Sequence, residues 1–160
     1  IANQFVADSD YKFLLDVRKM LMEKVGKLEF PDALLKRIMR LNNQDKDEKF
    51  VEDNYDKSIE ELTWHLIKEQ LVKANDIKVE QDDILNMAKE TTRAQFAQYG
   101  MLSVPEEILD NYAKEMLKKK ESIEGLVNRV VETKLASALK TQVTLENKNI
   151  SAADFNKMFE

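Results

Sequence analysis

An all-α fold is predicted by three observations: only three Gly and two Pro in 160 residues, strong helix formers throughout, and apolar residues recurring at three- and four-residue steps. So little turn chemistry is too little for a meander of short strands. A chain of this length folds as one domain and can remove on the order of two-thirds of its unfolded surface from water, which is enough for a conventional core.

The first helix is expected to begin at the Asp8-Ser9-Asp10 cap and to run to Val25, with Phe13, Leu14, Val17, Met20, Leu21 and Val25 at helical spacing and Gly26 as its stop. Pro31, a favoured first-turn residue, opens a second helix carrying Leu34, Leu35, Ile38, Met39 and Leu41, ended by Asn42 and Asn43. A third, from about residue 46 to 75, would be roughly 45 Å long; its first half is dense in charge, too polar to be buried, and is expected to project. Ile77 and Val79 lead into a fourth helix over 80–99, capped by Gly100. Ser103 and Glu106 have capping-box spacing with Pro105 in the first turn, so a fifth helix starts there, with Ile108, Leu109, Tyr112, Met116 and Leu117 as its stripe. After a reversal over residues 118–122, Ile123, Leu126, Val127, Val130, Val131, Leu135 and Leu139 form the most regular amphipathic helix, expected to be core. Ser151 and Asp154, with Ile150 and Phe155 as a hydrophobic staple, open a short last helix.

The chemistry that is missing narrows function. Without Cys there is no disulfide framework, thiolate nucleophile or thiolate metal site, which fits a reducing compartment, so the cytoplasm is the expected location. The formal charge of -5, from 25 Lys and Arg against 30 Asp and Glu, argues against a phosphate-binding surface and hence against nucleic acid as a partner. No apolar run approaches the roughly 20 residues of a membrane span, so no membrane partner is expected. The one His, His65, has no second His for zinc and no partner for a catalytic triad. Gly at 26, 100 and 125 cannot write a phosphate-binding loop, so neither ATP, NAD nor any other cofactor is expected. The acid pairs Asp82/Asp83 and Glu106/Glu107 read as first-turn charges facing a helix dipole rather than as catalytic dyads. Asp45, Asp47 and Glu48 fail as a calcium loop, since Lys49 stands where a third ligand should be. The chain opens at Ile1 and is read as a piece of a longer protein.

Soft apolar side chains remain. Seven Met and seven Phe are spread along the chain, several on otherwise polar helices. Any single one commonly fills a gap in a helix contact. As a set, flexible Met with Phe and Tyr makes a surface that can repack around unlike apolar partners. The candidate contact residues are Phe13, Met20, Met22, Phe50, Tyr55, Met87, Phe96, Tyr99 and Met101.

From residue 30 onward, the order of elements resembles the C-terminal domain of the trigger factor family of bacterial ribosome-associated chaperones. The likeness is carried by Phe30-Pro31-Asp32-Ala33-Leu34-Leu35, by Leu66-Ile67 with Leu71, Asn75, Ile77 and Val79, and by Leu135, Ala138, Leu139 and Val143 followed by Phe155 and Met158. It implies a helical body with protruding arms (residues 30–160, the chaperone domain) preceded by a linker helix (residues 1–29). It also implies a cradle holding nascent or unfolded polypeptide without ATP. Ribosome docking and prolyl isomerase activity would reside in domains outside this segment, which should itself be no enzyme. The periplasmic chaperone SurA is similar at this architectural level. Self-association is left open. A structural spacer domain whose apolar stripes are satisfied internally is the alternative reading; an enzyme fragment is the weakest, because no His, Cys or Gly-loop constellation is present.

Overall fold

The structure, a computed structural model, describes residues 2–146 and 148–159. Among these the regular structure is wholly helical, as predicted: α1 (Ala2–Val25), α2 (Asp32–Asn42), α3 (Glu48–Ala74), α4 (Gln81–Gln98), α5 (Glu106–Met116), α6 (Lys120–Lys140) and α7 (Ala152–Asn156), with a 3₁₀ turn over Lys157–Phe159.

Helix ends follow local chemistry, with two corrections to the expected starts. α1 already runs from Ala2, so Asp8, Ser9 and Asp10 lie inside it; the Asp10 carboxylate is taken by Lys140 of α6 instead of capping. The α5 capping box does not form either. Pro105 has extended backbone (φ -56°, ψ 140°) and immediately precedes the first helical residue, which leaves Ser103 too far upstream to reach the first-turn amides. A capping carboxylate stands at α4 instead, where Asp83 accepts the Glu80 N–H at 2.8 Å. α4 closes on Gly100 (φ 80°): Gly100 N–H donates to the Ala97 carbonyl and Met101 N–H to the Phe96 carbonyl, each at 3.0 Å, the paired bonds of a Schellman stop. α3 ends in the same way with Asp76 (φ 48°) in the left-handed position, a conformation that a short polar side chain tolerates better than most.

α6 is the spine. Its N-terminal half contributes Leu126 to a cluster with Ala88 of α4 and Ala113 of α5, flanked by Ile84, Leu85, Met87, Met116 and Leu117. Its C-terminal half contributes Leu135 and Leu139 to a second cluster with Val17 of α1, flanked by Phe13, Leu21, Leu71 and Ile77. At 1.5 Å per residue these two cores lie roughly 14–20 Å apart along one helix. α1 is joined to α3 through Arg18, whose guanidinium lies 5.7 Å from the centre of the buried Trp64 ring and reaches Glu61 at 2.8 Å.

Away from this body, α2 packs on α3 and on no other helix to a comparable extent, and α4 pairs with α5 as a hairpin against α6. The expectation that the first half of α3 projects bare is therefore corrected. Val51 (1% exposed) and Tyr55 (7%) are buried, with Tyr55 bonded to Asp32 of α2, so the projection is a two-helix arm. The whole chain exposes 12162 Å². A compact monomer of 18.6 kDa would expose about 8,200 Å², so the fold is far more open than a bundle closed on itself.

Candidate functional site

Exposed apolar side chains gather at two places. The first is the turn end of the α4–α5 hairpin. The Schellman stop directs the chain back at Gly100 and leaves Tyr99 (83% exposed), Met101 and Leu102 (84% exposed) in solvent. Beside them Phe96 of α4 meets Tyr112 of α5 edge to face, with ring centres 5.2 Å apart and planes at 80°. Ile108, one helical turn from Tyr112, is exposed on the same flank of α5.

The hairpin beneath this tip is rigid by construction. Ala88 and Ala113 are fully buried, and such small side chains permit close approach of α4 and α5. Thr92, also buried, donates its hydroxyl to the Ala88 carbonyl at 2.8 Å and so carries no unmet polar atom into the contact. Lys89 bridges Asp110 and, at 3.1 Å, Glu106; these carboxylates, Asp110 foremost, hold its ammonium pKa above the ordinary lysine value. Lys134 of α6, 2.6 Å from Asp83, together with the Glu80 N–H, holds the Asp83 carboxyl below its usual range.

The second place is α2. Leu35 and Met39 are half-buried, whereas Leu34 (54% exposed), Ile38 and Leu41 (58%) lie in solvent at i, i+4 and i+7. Besides the half-buried Leu35 and Met39, polar groups hold α2. The Tyr55 hydroxyl donates to Asp32 at 2.5 Å, Lys36 lies 4.9 Å from the centre of the Tyr55 ring and 2.6 Å from Glu52, and Arg40 reaches Glu52 at 3.5 Å. Burial, reinforced by the Asp32 carboxylate, pushes the Tyr55 phenol up to about 12. Lys36, with Arg40 behind it, lowers the Glu52 carboxyl.

The nine candidate residues divide accordingly. Phe96, Tyr99 and Met101 converge on the hairpin tip. Met20 is exposed on α1, Met22 half-buried beside a shallow pocket of about 520 Å³ that Leu15, Arg18 and Glu60 share, and Phe50 half-buried in the first turn of α3. Phe13 and Met87 flank the two cores. Tyr55 is the correction: its ring is covered by α2 and unavailable to a partner in this arrangement. Sequence reasoning gave Leu34, Ile38, Leu41, Ile108 and Tyr112 only as members of the apolar stripes of their helices. A signal was present: α2 and α5 each carry two adjacent apolar stripes, an arc wider than one neighbouring helix can cover.

A third opening, a cleft of about 750 Å³, separates α1 from the C-terminal segment; Lys12 and Asp16 line one wall and Ile150, Phe155 and Met158 the other, and Tyr11 stacks on Phe159 at 6.2 Å. The Ser151 hydroxyl accepts the Asp154 N–H at 3.1 Å, the predicted cap of the short last helix. Among the described residues no group of His, Asp and Glu is arranged to hold a metal ion, and no helix is long and apolar enough to cross a membrane.

The sequence profile of the family described as probable trigger factor, C-terminal domain, matches residues 9–159. No curated protein and no solved structure matches the chain. The matched domain is of chaperone type and is not the prolyl isomerase domain of trigger factor. With the family profile spanning nearly its whole length, the chain, all-helical among its described residues, belongs to the trigger factor C-terminal domain family.

Proposed function

We propose that this domain holds unfolded or nascent polypeptide, without nucleotide, through reversible apolar contacts at the hairpin tip and on α2, with the body between them as the cradle. The observation that carries the reading is the cluster of Phe96, Tyr99, Met101, Leu102 and Tyr112, mostly in solvent on a rigid hairpin. Covering roughly 300 Å² of such surface is worth about 7 kcal/mol gross, and the ordering of a flexible client cancels most of it. Each contact is therefore weak, and affinity comes from engaging several at once. Release then needs only dissociation.

In this reading Met20, Met22, Phe50, Phe96, Tyr99 and Met101 face the client, while Phe13, Tyr55 and Met87 support the fold. α1, within residues 1–29, leads into the chaperone domain of residues 30–160. Ribosome docking and prolyl isomerisation would belong to other domains of a trigger factor parent acting in the cytoplasm, and the net charge of -5 helps to keep a client complex dispersed. The test is light scattering from a chemically denatured client on dilution. The chain at stoichiometric excess should slow aggregation, and Tyr99→Ser with Leu102→Ser should weaken that effect by several-fold without changing helicity. Unimpeded aggregation together with no uptake of an apolar dye would leave the spacer role as the better account.

A further inference from the structure

The cleft between α1 and the C-terminal segment has walls of opposite character. Ser9, Lys12 and Asp16 lie at i, i+3 and i+7, so α1 turns a polar face to it, whereas Ile150, Phe155 and Met158 form an apolar face opposite. Ile150 (42% exposed) and Met158 (48%) are thus left largely uncovered by the helix they face. Phe159 of the same segment stacks on Tyr11 with ring planes at 12°, and Phe155 meets Phe159 edge to face at 5.3 Å, so an aromatic bridge spaces the two walls. The charges that line the cleft are already matched: Lys12 pairs with Asp16, and Lys148 with Glu146 at 3.2 Å.

Resting on the holding role proposed above, we infer that this cleft is a further client site, which takes a short extended stretch of apolar polypeptide, its side chains against Ile150, Phe155 and Met158 and its backbone toward Ser9, Lys12 and Asp16. An extended chain fits both walls, because it carries apolar side chains beside a row of backbone N–H and C=O groups that must find partners. Ser9 and Lys12 can donate to its carbonyls, and Asp16 can accept from its amides. The volume of about 750 Å³ lies within the roughly 300–1,000 Å³ of ligand pockets, room for a few residues and too little for the face of a second folded copy. Because its charged residues are paired among themselves, the cleft selects for apolarity and not for a sign of charge.

The chain has no Cys, so Ser9→Cys takes a single benzophenone label at an exposed position on the polar wall. A peptide with a Leu/Phe centre and Ser/Gly flanks should be photo-crosslinked there several-fold more than by the same label on Glu121→Cys, in the first turn of α6. Adding Ile150→Ser and Met158→Ser should cut the yield about three- to tenfold with circular dichroism unchanged, and raising the salt should not lower it. A yield equal to that at Glu121→Cys, one unaffected by Ile150→Ser and Met158→Ser, one that falls with salt, or crosslinks mainly to a second copy of the chain would overturn this site; if denatured client is still protected, the holding role stands. No crosslink at Ser9→Cys together with an unprotected client would overturn both.

Discussion

The α4–α5 hairpin is joined by fully buried Ala88, Leu109 and Ala113 and by a hidden Thr92, whereas α2 is fastened to α3 by a phenol–carboxylate bond and a Lys–Glu–Arg cluster above Val51. Both arms hold apolar side chains out in water, but the first has several fully buried carbon side chains beside its Lys89 bridges, whereas the second has Val51 and Tyr55 beneath a larger share of partly solvated ion pairs. Packed carbon is insensitive to pH and salt and gives way only with the whole domain; exposed ion pairs are weak, screened and local. The hairpin is therefore expected to open only with the whole domain, and α2 to open more readily.

Several measurements would break or sharpen that contrast. The largest effect is expected for Leu109→Ala, which empties a fully buried site in the hairpin and should cost about 2–5 kcal/mol of global stability in urea denaturation; a loss under 1 kcal/mol would show the hairpin to be no more tightly built than α2. Tyr55→Phe removes the bond to Asp32 and should speed amide exchange in α2 by roughly three- to tenfold, with α4 and α5 unmoved. Exchange that rose equally in both arms would mean that they open together.

The pH dependence has a definite sign. The Tyr55 pKa is raised from 10.0 to about 12, so its contribution to the attachment is complete below pH 10 and is lost as pH climbs through 12. Glu52 is lowered from 4.5, so its contribution is complete above the usual carboxylate range and is lost as the solution is acidified through its folded-state value. The protection factors of the α2 amides, exchange rates corrected for the intrinsic pH dependence of amide exchange, should pass through a maximum between these limits. The smallest effect is Glu52→Gln, less than about threefold in α2 exchange and vanishing in high salt.

The order of helices was legible because each apolar stripe repeats at helical spacing and Gly26 and Gly100 stand at true left-handed stops. Helix starts were less so. Asp8, Ser9 and Asp10 have the chemistry of a cap, but whether a short polar residue caps or continues a helix depends on what the preceding chain does and on partners such as Lys140, which lies 130 positions away from Asp10. Of the apolar side chains at the hairpin tip, Phe96, Tyr99 and Met101 were legible as soft Met and aromatic side chains in the sequence. Tyr112 was not, because which of two stripes on one helix faces inward is decided by tertiary contact, and Leu102 lies in the α4–α5 connection, outside any helical stripe. Tyr55, expected to face a partner, is covered instead by α2, and which helix docks on that face of α3 is likewise decided by tertiary contact.

The placement of both cores on α6 has a mechanical meaning. Leu126 and Leu139 belong to different clusters yet share one continuous run of backbone bonds, so a tug on the hairpin is passed along a stiff rod to the seat of α1 rather than dissipated in a joint. The molecule should melt as a unit although its interior is in two parcels, and a kink placed midway along that rod, near Val130, would turn one cooperative body into two.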